Sequence, residues 1–537
     1  MKRIFFSFFT VLLVLALAFA ATACGENSLR IDPAGMLIMP EEPESPAYEY
    51  EDDLDAEAGP IHVPAAAPAA DDGILRLHMR PPMTLNPLLN EDVTVARILR
   101  LIFEPLAVLD DELRTTGHLA ELDFASDFSG VTVRIRDDAI WSDGKPVTAD
   151  DLVFSVETLR NAPARAIYRG NVQNIESIRV VDAKTAQITF AQASVTAGYA
   201  LNFPIIPEHL YRGETNPGSP RNMSPVGNGP FVFYELVPIR NITLRRSPHS
   251  FQGRAQIEEI EVIFLPDAET DLYAFDRGRI DAIRLPLTEW ARFHSPRTPR
   301  YEIFPAMYFE FIGFNFRRPI FRDIHVRQGI AHAFNIKEAV TAVYMAHAVT
   351  SVTPIHPYSW AADNIAPPTF DPARASALLG TIRLDEPLII LANAENPQRV
   401  SIAQRLANAL DAAGLPSRAE ILPDHEYFWR LDSHDFDLFI GGVNLPFAPD
   451  MQFLFQSGGL FQYDNLLDGF FSAMMIASTE GAYLQAVSQF QHAFAERLPV
   501  IGLAFRHSAV LTNSRIARGT NPAPDNIFAR ISEWVIE

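Results

Sequence analysis

Carboxylates and histidines carry most of the reactive potential in this chain. They gather most densely at Asp424, His425 and Glu426, followed by Asp432, His434 and Asp435, nitrogen and oxygen donors of the kind that hold divalent metals. The nine-residue step between the histidines, with Trp429 and Leu431 inside it, instead suits an exposed helix and the turn after it, so no metal site is expected. Asp143, Asp150 and Asp151 could pair for acid–base work. Asp143-Gly144 reads as a turn, however, with Thr148 as a helix N-cap and Asp150 and Asp151 as acids in the favourable first turn. The glycines of Pro225-Val226-Gly227-Asn228-Gly229-Pro230 suggest a phosphate cradle, but the prolines and the following Phe231-Val232-Phe233-Tyr234 read as a loop entering a strand. No GxxxxGK(S/T) loop, HExxH pair, GxSxG elbow or GxGxxG turn occurs. One cysteine in 537 residues excludes a disulfide framework, a cysteine-rich zinc site and an iron–sulfur cluster. The sequence lacks the common catalytic punctuation, and neither a cofactor nor an enzyme activity is expected.

Binding groups need elements to position them. Ile74 to Met79 alternates apolar and polar residues as a strand does, and Val131 to Arg136 repeats the pattern. Between Val326 and Tyr344 the residues Val326, Ile330, Phe334, Val340 and Tyr344 recur at near-helical spacing, which predicts a helix. Val400, Ala403, Leu406, Leu410 and Ala413 predict another, with Gly414 at its end. Prolines, 41 in all, fall between these elements. A mixed α/β chain of this length, 48% hydrophobic, holds about three domains of ~150 residues.

The N-terminus follows another logic. Lys2 and Arg3 precede an apolar run from Ile4 to Ala21, and Ala21-Thr22-Ala23-Cys24 resembles a bacterial lipobox, which implies export and a lipid on Cys24. Residues 1–23 are thus expected as a lipoprotein signal peptide and 24–72 as a disordered, acidic, Pro/Ala-rich tether. Glu41 to Glu57 carries nine carboxylates in seventeen residues and no base, so it repels itself and buries little. The formal net charge of -22 argues against nucleic-acid partners. Half of the mature charge lies in the tether: residues 25–72 hold thirteen acids against Arg30, a net of -12, and residues 73–537 carry the other -12.

A series of motifs then carries a family resemblance. Trp141-Ser142-Asp143-Gly144-Lys145-Pro146-Val147-Thr148-Ala149-Asp150-Asp151-Leu152-Val153-Phe154-Ser155 resembles the signature of the peptide/nickel class, family 5, of extracellular solute-binding proteins that serve ABC importers. Leu85-Asn86-Pro87, Ile102-Phe103-Glu104-Pro105-Leu106, Pro225 to Phe233, Arg277 to Asp281, Phe314-Asn315 with Phe321 to Ile330, Asp371 to Ala375 and Asp525-Asn526-Ile527 continue the match in order. The resemblance implies a two-lobed, periplasmic-binding-protein-like α/β fold of the large peptide-binding type, with an additional inserted domain. Its boundaries would be 73–106, 208–308 and 512–537 for the first lobe, 107–207 for the insertion and 309–511 for the second lobe.

That template also implies a site. Counting from Pro87 places Glu91, Asp92 and Val93 at the cleft, and counting back from Phe453-Leu454 places Gly442, Val443 and Asn444 opposite. Tyr168, Trp360 and Phe447 are expected as aromatic lining. Peptide-binding relatives carry an Asp in a W-x-x-D-Y motif that pairs with the ligand ammonium. Here Pro446 stands in its place, so Glu91, Asp92 or Asp450 would have to substitute. The implied function is a monomeric, lipid-anchored binding subunit on the outer face of the cytoplasmic membrane, delivering a peptide-like or other small solute to an ABC permease. A solute sensor on the same scaffold and an extracellular hydrolase using an Asp/Glu pair are the alternatives.

Overall fold

Burial of every second side chain in Ile74–Met79 builds the first sheet: Leu75, Leu77 and Met79 point inward between half-buried neighbours. The computed structural model describes residues 73–285, 300–345, 347–449, 451–455, 465 and 467–537. The export segment, Cys24, the tether and Asp450 lie outside them. Ile74–Met79 runs parallel to Glu259–Phe264, and Asn241–Arg246 and Phe231–Val237 complete the sheet antiparallel. The proline-flanked glycine segment is indeed a loop entering a strand. A side chain on Gly227 would sit 1.9 Å from the Ile102 carbonyl oxygen, so the glycine serves close backbone approach rather than phosphate binding.

Residues 120–190 form a second four-stranded sheet, wholly antiparallel, with the helix Ala149–Arg160 beside it. The signature segment works here as structure. Asp151, 4% exposed, accepts from Trp141 Nε1 at 3.1 Å, from Thr148 N at 2.9 Å and Oγ1 at 3.1 Å, and from Glu208 N at 2.8 Å. Burial raises its pKa. One apolar cluster runs from the first sheet through Trp141 and Leu152 into this region.

The third sheet has seven strands. Its main path is Ala282–Leu285, Val500–Thr512, Arg300–Phe314, Leu438–Asn444, Leu388–Asn393 and Ser417–Leu422, with Ala348–Thr350 added to Val500–Thr512. Arg300–Phe314 and Val500–Thr512 pair antiparallel and are long enough to serve two cores. Phe304 and Val510 pack into the first cluster, whereas Met307, Phe309 and Phe505 pack into the second. Their register shifts between Pro305 and Phe309, and again between Glu310 and Phe311. The pairing is thus irregular where the two strands pass from the first apolar cluster to the second.

The helix expected over Val326 to Tyr344 is two helices, Ile324–Ala333 and Ile336–Tyr344. Phe334 is extended, and the Asn335 side chain accepts from the Glu338 amide to start the second, a local bond that outcompetes continuous helix. The helix expected at Val400 begins at Pro397 and ends at Ala412. Asp151→Ala would strand four donors, at roughly 1–3 kcal/mol for each one left buried. Urea unfolding should show a loss of about 3–5 kcal/mol. Asp143→Ala, which removes an exposed contact to His209, should cost about 1 kcal/mol or less.

Candidate functional site

The interrupted strand pair borders a cavity of about 590 Å³ that takes residues from both lobes. From the first lobe come His78 and Arg80, which end the first strand, and Thr94 and Arg97 on the helix Val93–Leu99. Asp271 and Arg284 complete that wall. Arg80 Nη1 donates to both carboxylate oxygens of Asp271 at 3.0 and 3.1 Å, and His78 Nδ1 lies 3.1 Å away. Burial opposes the Asp271 charge, but these two bases outweigh it and leave the carboxyl below its ordinary pKa.

The second-lobe wall is organised by Glu310, which is fully buried. Its carboxylate accepts from Arg399 Nε at 3.0 Å and from Arg506 Nη1 at 3.2 Å. Arg399, 1% exposed, donates also to Tyr308 OH at 2.9 Å and Asn393 Oδ1 at 3.3 Å. Burial disfavours its charge, yet Glu310 holds its pKa well above the ordinary value. Gly442 makes room for this network, since a Cβ there would lie 2.6 Å from the Tyr308 ring and 2.7 Å from Arg399 Nη2. Beside it, Asn393 donates to Asp424 Oδ1 at 2.8 Å. Burial raises the Asp424 carboxyl, which hydrogen-bonds Glu395. His507 also faces the cavity, and burial followed by the His347 charge lowers its pKa.

None of the nine residues expected from the template is among those lining this cavity; they fall into two groups away from its walls. Glu91 reaches Arg165 at 3.9 Å. Asp92 caps its helix, accepting from the Thr94 and Val95 amides at 2.7 and 2.9 Å, so its carboxylate is already used. Val93 opens that helix. Tyr168 follows Ile167, whose amide bonds Asn90 O at 3.0 Å, and this brings it to the same loop.

In the second lobe Gly442 lies under Arg399, and Asn444 pairs with Tyr308 and is exposed. Val443 is buried on the opposite face, where Trp360 and Phe447 pack. Trp360 links Tyr199 and Arg114 to the helix Glu480–Arg497, which carries Tyr483. Its indole donates to Tyr199 OH at 2.9 Å, stacks on Tyr483 at 5.7 Å and lies 4.3 Å beneath Arg114, which pairs with Glu480. The expected helix and turn around His425 and His434 are present as Asp424–Ser433 with His434 as its left-handed cap. Among the described residues no group of three or more His, Cys, Asp or Glu is arranged to hold a metal ion.

Residues 115–464 match the family model of bacterial extracellular solute-binding proteins, family 5. A Brucella ovis protein provisionally described as an ABC transporter peptide-binding protein is 24% identical over 330 residues, 58% of this chain. The aligned stretch spans 62% of that relative's length. The oligopeptide-binding protein AppA of Bacillus subtilis is 23% identical over 406 residues, 70% of this chain and 74% of the relative. Among solved structures, NikZ from Campylobacter jejuni in complex with Ni(L-His) superposes with a TM-score of 0.67 at 21% identity, covering 87% of this chain and all of that one.

The network predicts its own stability test. Glu310→Gln would leave two guanidinium groups without their shared counter-charge and should cost about 3–5 kcal/mol in denaturant unfolding. Adding Arg399→Met to that variant should recover part of the loss.

Proposed function

The chain belongs to the bacterial extracellular solute-binding proteins of family 5, and on that premise we propose that it is the solute-capturing subunit of an ABC importer. The observation that carries this reading is the charged cavity between two lobes joined by an interrupted strand pair. A solute seated there touches both lobes at once, so its contacts exist only in the closed arrangement and favour it. A membrane permease that recognises the closed arrangement then receives the solute, and no covalent step is required. A cavity of about 590 Å³ suits a short peptide or a compound of that size. Glu91 and Asn444 would extend contact beyond the central cavity, toward the loop before the helix Val93–Leu99 and the end of Leu438–Asn444.

The N-terminal reading completes the proposal. A lipid on Cys24 holds the body outside the cytoplasmic membrane, and the acidic tether gives it reach. Among the described residues no helix is long and apolar enough to cross a membrane.

Native mass spectrometry of the full chain, purified gently in detergent, should show a retained small solute. Adding that solute at ~100 times its dissociation constant to stripped protein should stabilise it by about 2.7 kcal/mol. Absence of any retained mass, together with no melting shift across peptide and metal-chelate panels, would remove the reading. Asn444→Ala and Glu91→Ala should lose the mass while keeping the wild-type unfolding curve; retention by both confines the site to the central cavity. Cys24→Ser should move the chain from the membrane fraction to the soluble fraction.

A further inference from the structure

Pairing off the cavity's charges leaves a remainder. Asp271 answers Arg80 and His78. Glu310 answers Arg399 and Arg506, and Asp424 and Glu395, on the facing wall, bond each other and keep negative charge without a base at ion-pair distance. Among the lining arginines, Arg97 and Arg284 are left. Among the described residues neither has a carboxylate within ion-pair distance. The Arg284 Nε donates to Ser508 Oγ at 3.1 Å, and its guanidinium lies 5.9 Å from the Phe304 ring. Both arginines line the cavity, Arg97 half-buried on its helix and Arg284 open to the cleft's water between crowding walls.

They also feel each other. Burial and then the Arg284 charge lower the Arg97 pKa, against the attraction of Asp92 and Asp271. Burial lowers that of Arg284. A guanidinium stays charged at neutral pH regardless, so the cleft holds two neighbouring cations that, among the described residues, are drawn on by Asp92 and Asp271 but have no carboxylate at ion-pair distance. An unfavourable arrangement of this kind is tolerated where a ligand supplies the missing charge. Planar guanidinium forks match carboxylate oxygens and bond them more strongly than neutral partners do.

We infer that Arg97 and Arg284 form an anion subsite in the first-lobe wall, and that the captured solute is a small organic acid or acidic peptide that presents a carboxylate to them. The inference rests on the solute-capture reading and narrows it to carboxylate-bearing solutes. The rest of the solute then lies toward Tyr308 and the Asp424–Glu395 pair on the facing wall.

The first test needs no solute. At low salt, Arg97→Gln and Arg284→Gln should each melt at or a few degrees above wild type, and the difference should vanish in 0.5 M sodium chloride, roughly where screening cuts charge interactions to a few ångströms. A lower melting temperature for both would show that the pair braces the fold and would overturn the subsite. The second test uses Ala-Glu-Ala and its neutral counterpart, Ala-Gln-Ala amide, as probes. Wild type should bind the acidic tripeptide at least tenfold more tightly, and either substitution should bring that ratio within about twofold.

Equal binding of the neutral peptide, or a preference that survives both substitutions, overturns the inference. Stabilisation by inorganic phosphate without any by the acidic tripeptide does so too, because it assigns the pair to a free oxyanion. Where neither tripeptide binds, the solute retained in native mass spectrometry decides. An acidic solute lost by either variant supports the subsite. A retained solute with no acidic group sinks the subsite and leaves solute capture standing, and no retained solute with no response to any probe sinks both.

Discussion

Glu310 is the interaction on which the cleft depends. A carboxylate buried in the middle of a strand is costly to desolvate, and it persists only because two guanidinium groups reach it. They come from separate elements: Arg399 from the first turn of the helix Pro397–Ala412, and Arg506 from the partner strand Val500–Thr512. The triad therefore fixes how that helix, those strands and the strand bearing Gly442 meet. It also lies one step beyond the register shift at Pro305–Phe309. Glu310 lies between that shift and the one at Glu310–Phe311, so the triad ties the second-lobe wall together where the ladder is irregular.

Charge in this protein is distributed against its average. The body carries a net -12 and the tether a similar amount, yet the cavity holds five arginines against three lining carboxylates. Overall charge governs solubility and long-range encounter, whereas the field inside a cleft with low-dielectric walls is set by the few groups facing it. An acidic exterior around a cationic cavity does not repel small acids strongly at physiological salt, because charges beyond ~8 Å are screened. Groups in the cleft are screened far less.

Features decided by neighbours in sequence were legible. The strand at Ile74–Met79, the turn and cap before Ala149–Arg160, and the exposed helix ending at His434 all follow from bonds among adjacent residues. The break at Phe334-Asn335 was not, because the apolar spacing across it still suits one continuous face and only the Asn335 side chain separates the helices. The ordered motifs identified the fold, since they mark turns and caps such as the Trp141–Asp151 bond. The site was largely hidden. Glu310 and Arg399 are 89 positions apart, and Glu310 and Arg506 196. One local signal existed: a lone carboxylate inside the apolar run Tyr308-Phe309-Glu310-Phe311-Ile312 must find a buried counter-charge. Asp92 misled in the opposite direction, because a carboxylate just before a helix reads equally as a ligand group or as a cap, and here it caps.

Solute polarity follows from what the cleft lacks as much as from what it contains. On the family template, Pro446 stands where peptide-binding relatives carry the carboxylate that meets a peptide ammonium. Asp92 is spent on its helix, and Glu91 leans toward Arg165. Of the lining acids, Asp271 is neutralised by its own bases, and Asp424 is held by Asn393 and Glu395. Among the described residues lining the cavity, the acids without a base at ion-pair distance are the Asp424–Glu395 pair on the second-lobe wall, and the guanidinium groups without a carboxylate at that distance are Arg97 and Arg284 on the other wall. A solute's carboxylate placed against Arg97 and Arg284 meets two guanidinium groups with no carboxylate at ion-pair distance, whereas its ammonium would meet only the Asp424–Glu395 pair. The acidic end of a solute therefore gains more from entering this cleft than its basic end does.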